Sequence, residues 1–265
     1  MWNWLAVVGT VAIWAGPLVG ASKPNVLFLA VDDMRDWVGC LGGYPGKVHT
    51  PNIDQLAATG MLFSNAHCPS PKCGPSRAAI LTGLRPSTTG LYDNGHWWFP
   101  NRPDTTTLPL QFRKHGYQVV GSGKIFHHTA GNNPPFQWHA YHRLTFQNDP
   151  WFRGAKLNYP WSRHTPFPKG FPFSGVKGLP HENDWGVIPV ADADHDDARS
   201  ADFAIDFLKE NQATEKPFFL ACGLFRPHLP WYVPRKFFDL YPKEDIQVPK
   251  APEDDLKDIP PVGRQ

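Results

Sequence analysis

The sequence predicts an α/β protein with a mostly parallel central sheet. Three continuous apolar runs have the length of buried strands, and they occupy residues 25–31, 117–121 and 217–223. Segments with helical spacing separate these runs, at residues 51–58, 105–115 and 198–208. Strands that alternate with helices are typical of parallel sheets flanked by helices. At 265 residues the chain is long enough for one such domain with a substantial core.

The first third of the chain predicts a strand, a short helix and a second strand. The strand over 25–31 ends at Asp32-Asp33, and the helix over 51–58 follows it. The apolar triplet at 61–63 predicts the second strand, which leads into the loop before Cys73. An Ala-rich segment after Pro75 predicts another helix, because proline fits the first helical turn.

The middle of the chain predicts a helix, a strand and a long irregular segment. The helix over 105–115 stops before a glycine, and the strand over 117–121 delivers Lys124 and His127. Residues 130–190 are rich in Pro, Gly, Trp, Phe and His without a clear period, which predicts a loop-rich insertion.

The last third predicts a helix and a buried strand. Acidic residues at 192–197 precede the helix over 198–208, where they favour helix capping over metal binding. The strand over 217–223 is followed by the segment Arg226-Pro227-His228. The carboxyl ends of parallel strands meet at one edge of a sheet, which is where ligands bind. We therefore expect Asp32-Asp33, Lys124, His127 and His228 to converge there.

Cys73-Gly-Pro-Ser-Arg77 is the segment with the strongest chemical signal. The cysteine stands directly before a predicted helix N-terminus, whose free N–H groups and positive dipole favour an anion. Arg77 adds a positive charge one turn later. The pattern favours a site for an anionic substrate group beside a reactive side chain. The alternative is an inert, half-buried thiol.

The other candidate residues also have structural alternatives. Two adjacent carboxylates at 32 and 33 repel each other unless a cation neutralises them, and oxygen ligands suit Ca²⁺ or Mg²⁺; the alternative is a loop or capping pair. Lys124 and His127 lie in a glycine-rich turn and could together bind an oxyanion. The alternative is that Lys124 is an exposed surface lysine and His127 a structural histidine. The near-neutral pKa that histidines have makes His228 suitable for proton donation. The alternative is that it is a structural histidine. Trp97, Trp98 and Phe99 offer a surface for a sugar face or belong to the core.

The composition and the first 21 residues limit the classes of protein to which the chain can belong. The 26 basic and 24 acidic residues are mixed along the chain, without the Lys/Arg block expected of a nucleic-acid-binding protein. Residues 1–21 carry no charged side chain and end in small residues, which predicts a secretory signal peptide; a membrane anchor is the alternative. Export opens the possibility of a disulfide, and a bridge involving Cys68 stays undecided.

The pattern Cys-x-Pro-Ser-Arg followed by Leu-Thr-Gly resembles the signature of the type I sulfatases. The resemblance implies an alkaline-phosphatase-like sandwich and a Cys73 that a maturation enzyme oxidises to formylglycine. It makes Asp32, Asp33 and the modified Cys73 ligands of Ca²⁺, with Mg²⁺ as the alternative. It assigns sulfate binding to Lys124, with Arg77 helping to stabilise the charge. His127 would assist the formylglycine hydrate, and His228 would protonate the leaving oxygen.

Further stretches resemble the iduronate-2-sulfatase branch of the family, at residues 84–93, 123–127, 216–221 and 237–241. This resemblance implies hydrolysis of a sulfate ester on a glycosaminoglycan-type sugar in a periplasmic, extracellular or lysosome-like compartment. The alternatives are a phosphodiester or phosphonate hydrolase of the same superfamily and an inactive sulfatase-like protein that binds glycans.

The sequence departs from the sulfatase pattern after His228. Sulfatases continue into a strand that ends in Asp-His or Asp-Asn, a second sulfate-binding lysine and a smaller C-terminal domain. No histidine follows His228 in this chain. We therefore expect residues 22–265 to form the N-terminal portion of a sulfatase catalytic domain, with an incomplete metal site.

Overall fold

The computed structural model describes residues 23–127, 133–143, 172–180, 183–188 and 191–263. In these ranges the strands are β1 (Val26–Val31), β2 (Gln118–Gly123), β3 (Ala140–His142), β4 (Trp185–Val187), β5 (Phe218–Leu224) and β6 (Trp231–Val233). The helices are α1 (Pro51–Thr59), α2 (Cys73–Thr82), α3 (Pro86–Thr89), α4 (Trp98–Asn101), α5 (Leu108–Lys114), α6 (Asp196–Glu210) and α7 (Arg235–Phe238). Single 3₁₀ turns lie at Pro135–Gln137, Asp192–Asp194, Lys243–Asp245 and Pro261–Gly263.

A parallel sheet with the strand order β1-β5-β2-β3 forms the centre of the fold. β5 lies between β1 and β2, and all but the last of its residues are buried. Buried strands in such sheets are apolar along their whole length, because helices cover both faces. The predicted α/β class is confirmed, and the three predicted apolar strands correspond to β1, β2 and β5.

Alternate residues of β5 pack on opposite sides of the sheet, as the strand pleat requires. On one side Phe219 stacks on Phe112 of α5, with ring centroids 4.5 Å apart, in a core that also includes Leu81 of α2. On the other side Leu220 packs with Phe207 of α6. α2, α5 and α6 therefore clamp the sheet from both faces.

One predicted strand is absent from the structure, and the predicted loop-rich segment includes short strands in its described parts. Residues 61–63 form no strand, and Met61 and Phe63 are 80% and 71% exposed. This prediction was wrong, because an apolar triplet is too short to indicate whether the segment has a strand to pair with. The segment 130–190 contains two short strands in its described parts: β3, which joins the edge of the central sheet, and β4, which pairs with β6.

Asp184 connects that segment to the chain after β5. Its buried carboxylate accepts hydrogen bonds from the backbone N–H groups of Phe173 and Ser174, at 2.7 and 3.1 Å. The hydroxyl of Tyr232 in β6 donates to the same carboxylate at 3.0 Å. The result is a fixed support beside the turn that carries His228.

Two glycines allow β2 and β5 to approach closely at their carboxyl ends. A Cβ atom on Gly123 would lie 2.0 Å from the carbonyl oxygen of Gly223, and one on Gly223 would lie 2.3 Å from the carbonyl oxygen of Lys124. Gly123 also has a φ of 71°, which favours glycine. The backbone N–H of Lys124 can therefore donate to the Gly223 carbonyl, at 2.8 Å.

Gly223→Ala is expected to destabilise the protein by about 2 kcal/mol or more, because the new methyl group overlaps backbone that cannot move independently. Gly95→Ala is the matched control, since a Cβ there meets only the Asp93 carboxylate, at 3.7 Å. Urea unfolding of both variants measures the difference. Equal stability of the two would show that the strand ends separate without cost.

No helix in the described part of the chain is long and apolar enough to cross a bilayer. The predicted signal peptide at 1–21 lies outside the described residues.

Candidate active site

The predicted site residues meet at the carboxyl edge of the sheet. Asp32 and Asp33 follow β1, Lys124 and His127 follow β2, and His228 follows β5. The three strands are neighbours and parallel, so their ends share one edge. α2 brings Cys73 and Arg77 to the same place, and a cleft of about 640 Å³ is lined by both of them and by the two aspartates.

A buried ionic cluster of Asp32, Arg77 and Lys124 lies under this cleft. Arg77 donates to Asp32 Oδ1 through Nη2 at 2.6 Å and through Nε at 3.2 Å. Lys124 Nζ donates to the other carboxylate oxygen, Oδ2. Arg77 Nη1 also donates to the carbonyl oxygens of Lys124 and Ile125. The guanidinium thus ties α2 to β1 and to the segment after β2.

The electrostatics of the cluster follow from burial and charge. Burial alone would raise the pKa of Asp32, but the Arg77 and Lys124 cations outweigh it and hold that pKa below its usual value. Burial lowers the pKa of Lys124, and Arg77 lowers it further, while Asp32 opposes both. The Asp32 carboxylate therefore offsets the cost of burying both the Arg77 and the Lys124 charge.

Cys73 is the first residue of α2, and its sulfur lies between two polar side chains. The Sγ atom is 3.4 Å from His127 Nδ1 and 3.4 Å from Asn94 Nδ2. Burial and the nearby Lys124 and Arg77 cations lower the pKa of His127 to about 4. His127 is therefore neutral at neutral pH, and one of its two ring nitrogens carries no proton.

His228 lies near Asp33. Its Nδ1 is 2.7 Å from the Leu229 carbonyl oxygen, an acceptor only, which assigns the ring proton to Nδ1. Its Nε2 lies 3.8 Å from Asp33 Oδ2. Burial and the charge of Lys124 lower the pKa of His228.

Asp32, Asp33 and His228 form a group that fits a divalent cation. One donor atom from each lies within 4.8 Å of the others. Asp33 has a φ of 55°, a left-handed conformation that non-glycine residues seldom adopt and that clusters at functional sites. Ca²⁺ takes six or more ligands, about half of which this group supplies. Cys73, the third predicted metal ligand, lines the same cleft.

Several residues that support the site were not predicted to do so. Phe225 lies under two site residues: Lys124 Nζ is 4.3 Å from its ring centroid, and the His228 ring is 4.6 Å away. Asp197, in the first turn of α6, accepts hydrogen bonds from the backbone N–H groups of Phe225 and Arg226, at 2.6 and 2.9 Å. This acid therefore fixes the turn that carries His228.

The predicted aromatic surface divides into buried and exposed residues. Trp98 is 3% exposed and stacks on Phe126, so it belongs to the core. Phe99 packs partly buried against the same core. Trp97 is 41% exposed and remains a candidate surface for a sugar ring.

Comparisons with known proteins identify the family. The sulfatase family model matches residues 24–258. A sulfatase from Formosa agariphila is 42% identical over 256 residues, which cover 91% of this chain and 46% of that protein. Human iduronate 2-sulfatase is 34% identical over 247 residues, which cover 90% of this chain and 41% of that protein. The chain thus spans less than half the length of these relatives.

The fold has solved counterparts. The crystal structure of a phosphonate monoester hydrolase from Agrobacterium radiobacter matches with a TM-score of 0.61 and 23% identity, over 85% of this chain and 45% of that one. At this identity the likeness shows the fold alone. The mostly parallel sheet flanked by helices is shared, which confirms the alkaline-phosphatase-like fold expected from the sequence.

Proposed function

The chain belongs to the sulfatase family, and we propose that the protein hydrolyses sulfate esters of a sulfated carbohydrate. The observation that carries the proposal is the position of Cys73. It begins α2, contacts His127 and shares a cleft with Asp32 and Asp33. A reactive side chain, a neutral base and paired carboxylates are the parts that ester hydrolysis at an anionic centre requires.

We propose that a maturation enzyme oxidises Cys73 to formylglycine, whose hydrate supplies a nucleophilic hydroxyl oxygen. His127, which is neutral at neutral pH, accepts a proton from the side chain at position 73. His228 first takes up a proton at Nε2 and gives it to the sugar oxygen as the sulfur–oxygen bond breaks. The sulfate is then bound to an oxygen of residue 73; as His127 takes the proton of the second hydroxyl, the carbon–oxygen bond to the sulfate breaks, sulfate leaves and the aldehyde forms again. One water rehydrates the aldehyde, so the net reaction consumes one water and yields the sugar alcohol and sulfate. The contact between Cys73 and His127 supports this division of roles.

A divalent cation, Ca²⁺ or alternatively Mg²⁺, would polarise a sulfate oxygen. Asp32 and Asp33, whose carboxylates offer donor atoms within one group, would hold it together with the side chain at position 73. Lys124, which is buried and bonded to Asp32, would act on the sulfate through its charge and not through direct contact. Arg77, whose N–H groups engage Asp32 and two carbonyls, would orient Asp32 as well as add positive charge.

The substrate we propose is a sulfated sugar of the glycosaminoglycan type. Its basis is the similarity to a relative named iduronate 2-sulfatase. Exposed Trp97 would pack against a sugar face. We also propose that residues 1–21 direct export to a periplasmic, extracellular or lysosome-like compartment.

The test combines a mass measurement with paired assays. Trypsin cleaves after Lys72 and Arg77 and releases the peptide of residues 73–77. Formylglycine replaces the thiol by an aldehyde, so we expect the mass of this peptide from the native host to fall. We also expect an aryl sulfate to be hydrolysed faster than an aryl phosphate diester. An unmodified thiol without turnover would favour a glycan-binding protein, and preference for the phosphate diester would favour a phosphohydrolase.

A further inference from the structure

The amide of Asn94 lies against the first turn of α2, 21 residues from Cys73 in sequence. Its Oδ1 accepts a hydrogen bond from the backbone N–H of Gly74 at 2.8 Å. Its Nδ2 lies 3.4 Å from Cys73 Sγ. The loop that carries Asn94 thus contacts both the start of the helix and the reacting side chain.

The orientation of this amide follows from its partners. A backbone N–H only donates, so the Asn94 oxygen must face Gly74 and its NH₂ group remains the donor toward position 73. Asp93 fixes the same loop: its carboxylate accepts from Lys72 Nζ and, at 3.0 Å, from the Gly95 N–H. The loop is therefore attached on both sides of Cys73, at Lys72 and at Gly74.

Gly74 makes this approach possible. A Cβ atom at position 74 would lie 2.8 Å from Asn94 Oδ1 and 3.2 Å from Asn94 Cα. Any larger residue would push the amide away from the helix and from the sulfur. The contact between the Asn94 amide and α2 thus requires glycine at position 74.

We propose that Asn94 is a positioning residue for the nucleophile, holding the side chain at position 73 between its own Nδ2 and His127 Nδ1. The inference rests on the proposed function of position 73. Asn94 donates to one oxygen of the modified side chain and leaves the other to His127, so that the attacking oxygen and the basic nitrogen stay aligned. Such alignment acts on the chemical step and leaves sugar binding unchanged.

Asn94→Asp tests the inference most directly, because it keeps an oxygen for Gly74 and replaces the donor to position 73 by a negatively charged oxygen. We expect kcat for an aryl sulfate to fall about 10- to 100-fold with KM unchanged. Gly74→Ala displaces the amide from the other side and is expected to reproduce the loss. Asn211→Asp is the control, since the Asn211 amide donates to Phe207 at the far end of α6; its kcat stays that of the wild type.

A second measurement is independent of turnover. In protein made without the maturation enzyme, we expect Asn94→Asp to slow alkylation of Cys73 by iodoacetamide, because a carboxylate beside the sulfur disfavours the thiolate. Exposed Cys68 in the same digest is the internal reference, and its rate stays constant. An unchanged Cys73 rate and an unchanged kcat in Asn94→Asp would overturn the inference and leave the proposed function intact. A wild type without aldehyde and without turnover would instead overturn the proposed function.

Discussion

Asp32→Asn is expected to destabilise the protein by about 3–5 kcal/mol, and Asp33→Asn by less than about 1 kcal/mol. Asp32 is 4% exposed, and its carboxylate is the shared partner of buried Arg77 and Lys124. Asparagine has a similar shape but no charge, so it leaves two buried cations without compensation. The Asp33 side chain is 53% exposed, and water replaces what it loses.

Urea unfolding in the presence of EDTA measures this difference, because removing metal separates fold stability from metal binding. Lys124→Met in the Asp32→Asn background is expected to recover part of the lost stability, since it removes one of the uncompensated cations. Equal destabilisation by the two single substitutions would contradict the buried-cluster argument. So would a double variant that is less stable than Asp32→Asn alone.

The strands of the central sheet were predictable because they are continuous apolar runs. β1, β2 and β5 begin and end within two residues of the predicted limits. Their alternation with helices implied parallel pairing, and parallel pairing implied that the polar residues after each strand share an edge. The convergence of Asp32, Lys124 and His228 therefore follows from a local pattern and one topological rule.

The contacts that organise the site were not predictable in the same way. Asn94 meets Gly74 across 20 residues, and Asp197 meets Phe225 across 28. Neither pair has a fixed spacing or a characteristic composition, since the fold alone brings the partners together. The acidic run at 192–197 did predict negative charge at the start of α6, but not that Asp197 would bind the backbone after β5.

Arg77 shows a related limit. Its place one turn after Cys73 predicted a positive charge near that residue, and the two residues line the same cleft. Its hydrogen bonds to Asp32 and to the Ile125 carbonyl depend on how α2 packs against the sheet. Sequence thus indicated the candidate residues for the proposed chemistry, and packing determined which of them hold the others in place.

Cys73→Ala is expected to lower turnover of an aryl sulfate by at least about 10³-fold, because it removes the group that we propose becomes the nucleophile. Its effect on the free energy of unfolding is expected to be small, since Cys73 is only partly buried. Cys68→Ala is the matched control: Cys68 lines the same cleft but has no role in the proposed chemistry. Its turnover and its aldehyde at position 73 are expected to equal those of the wild type.

Cys73→Ser separates the proposed chemistry from that of an ordinary hydroxyl nucleophile. His127 lies close enough to position 73 to act as a base toward a serine. If a hydroxyl beside a neutral histidine were sufficient, Cys73→Ser would keep a large part of the activity. If the reaction requires the two oxygens of an aldehyde hydrate, a serine left unoxidised is expected to be as inactive as alanine. Substantial turnover in Cys73→Ala would refute both mechanisms and place the nucleophile elsewhere in the cleft.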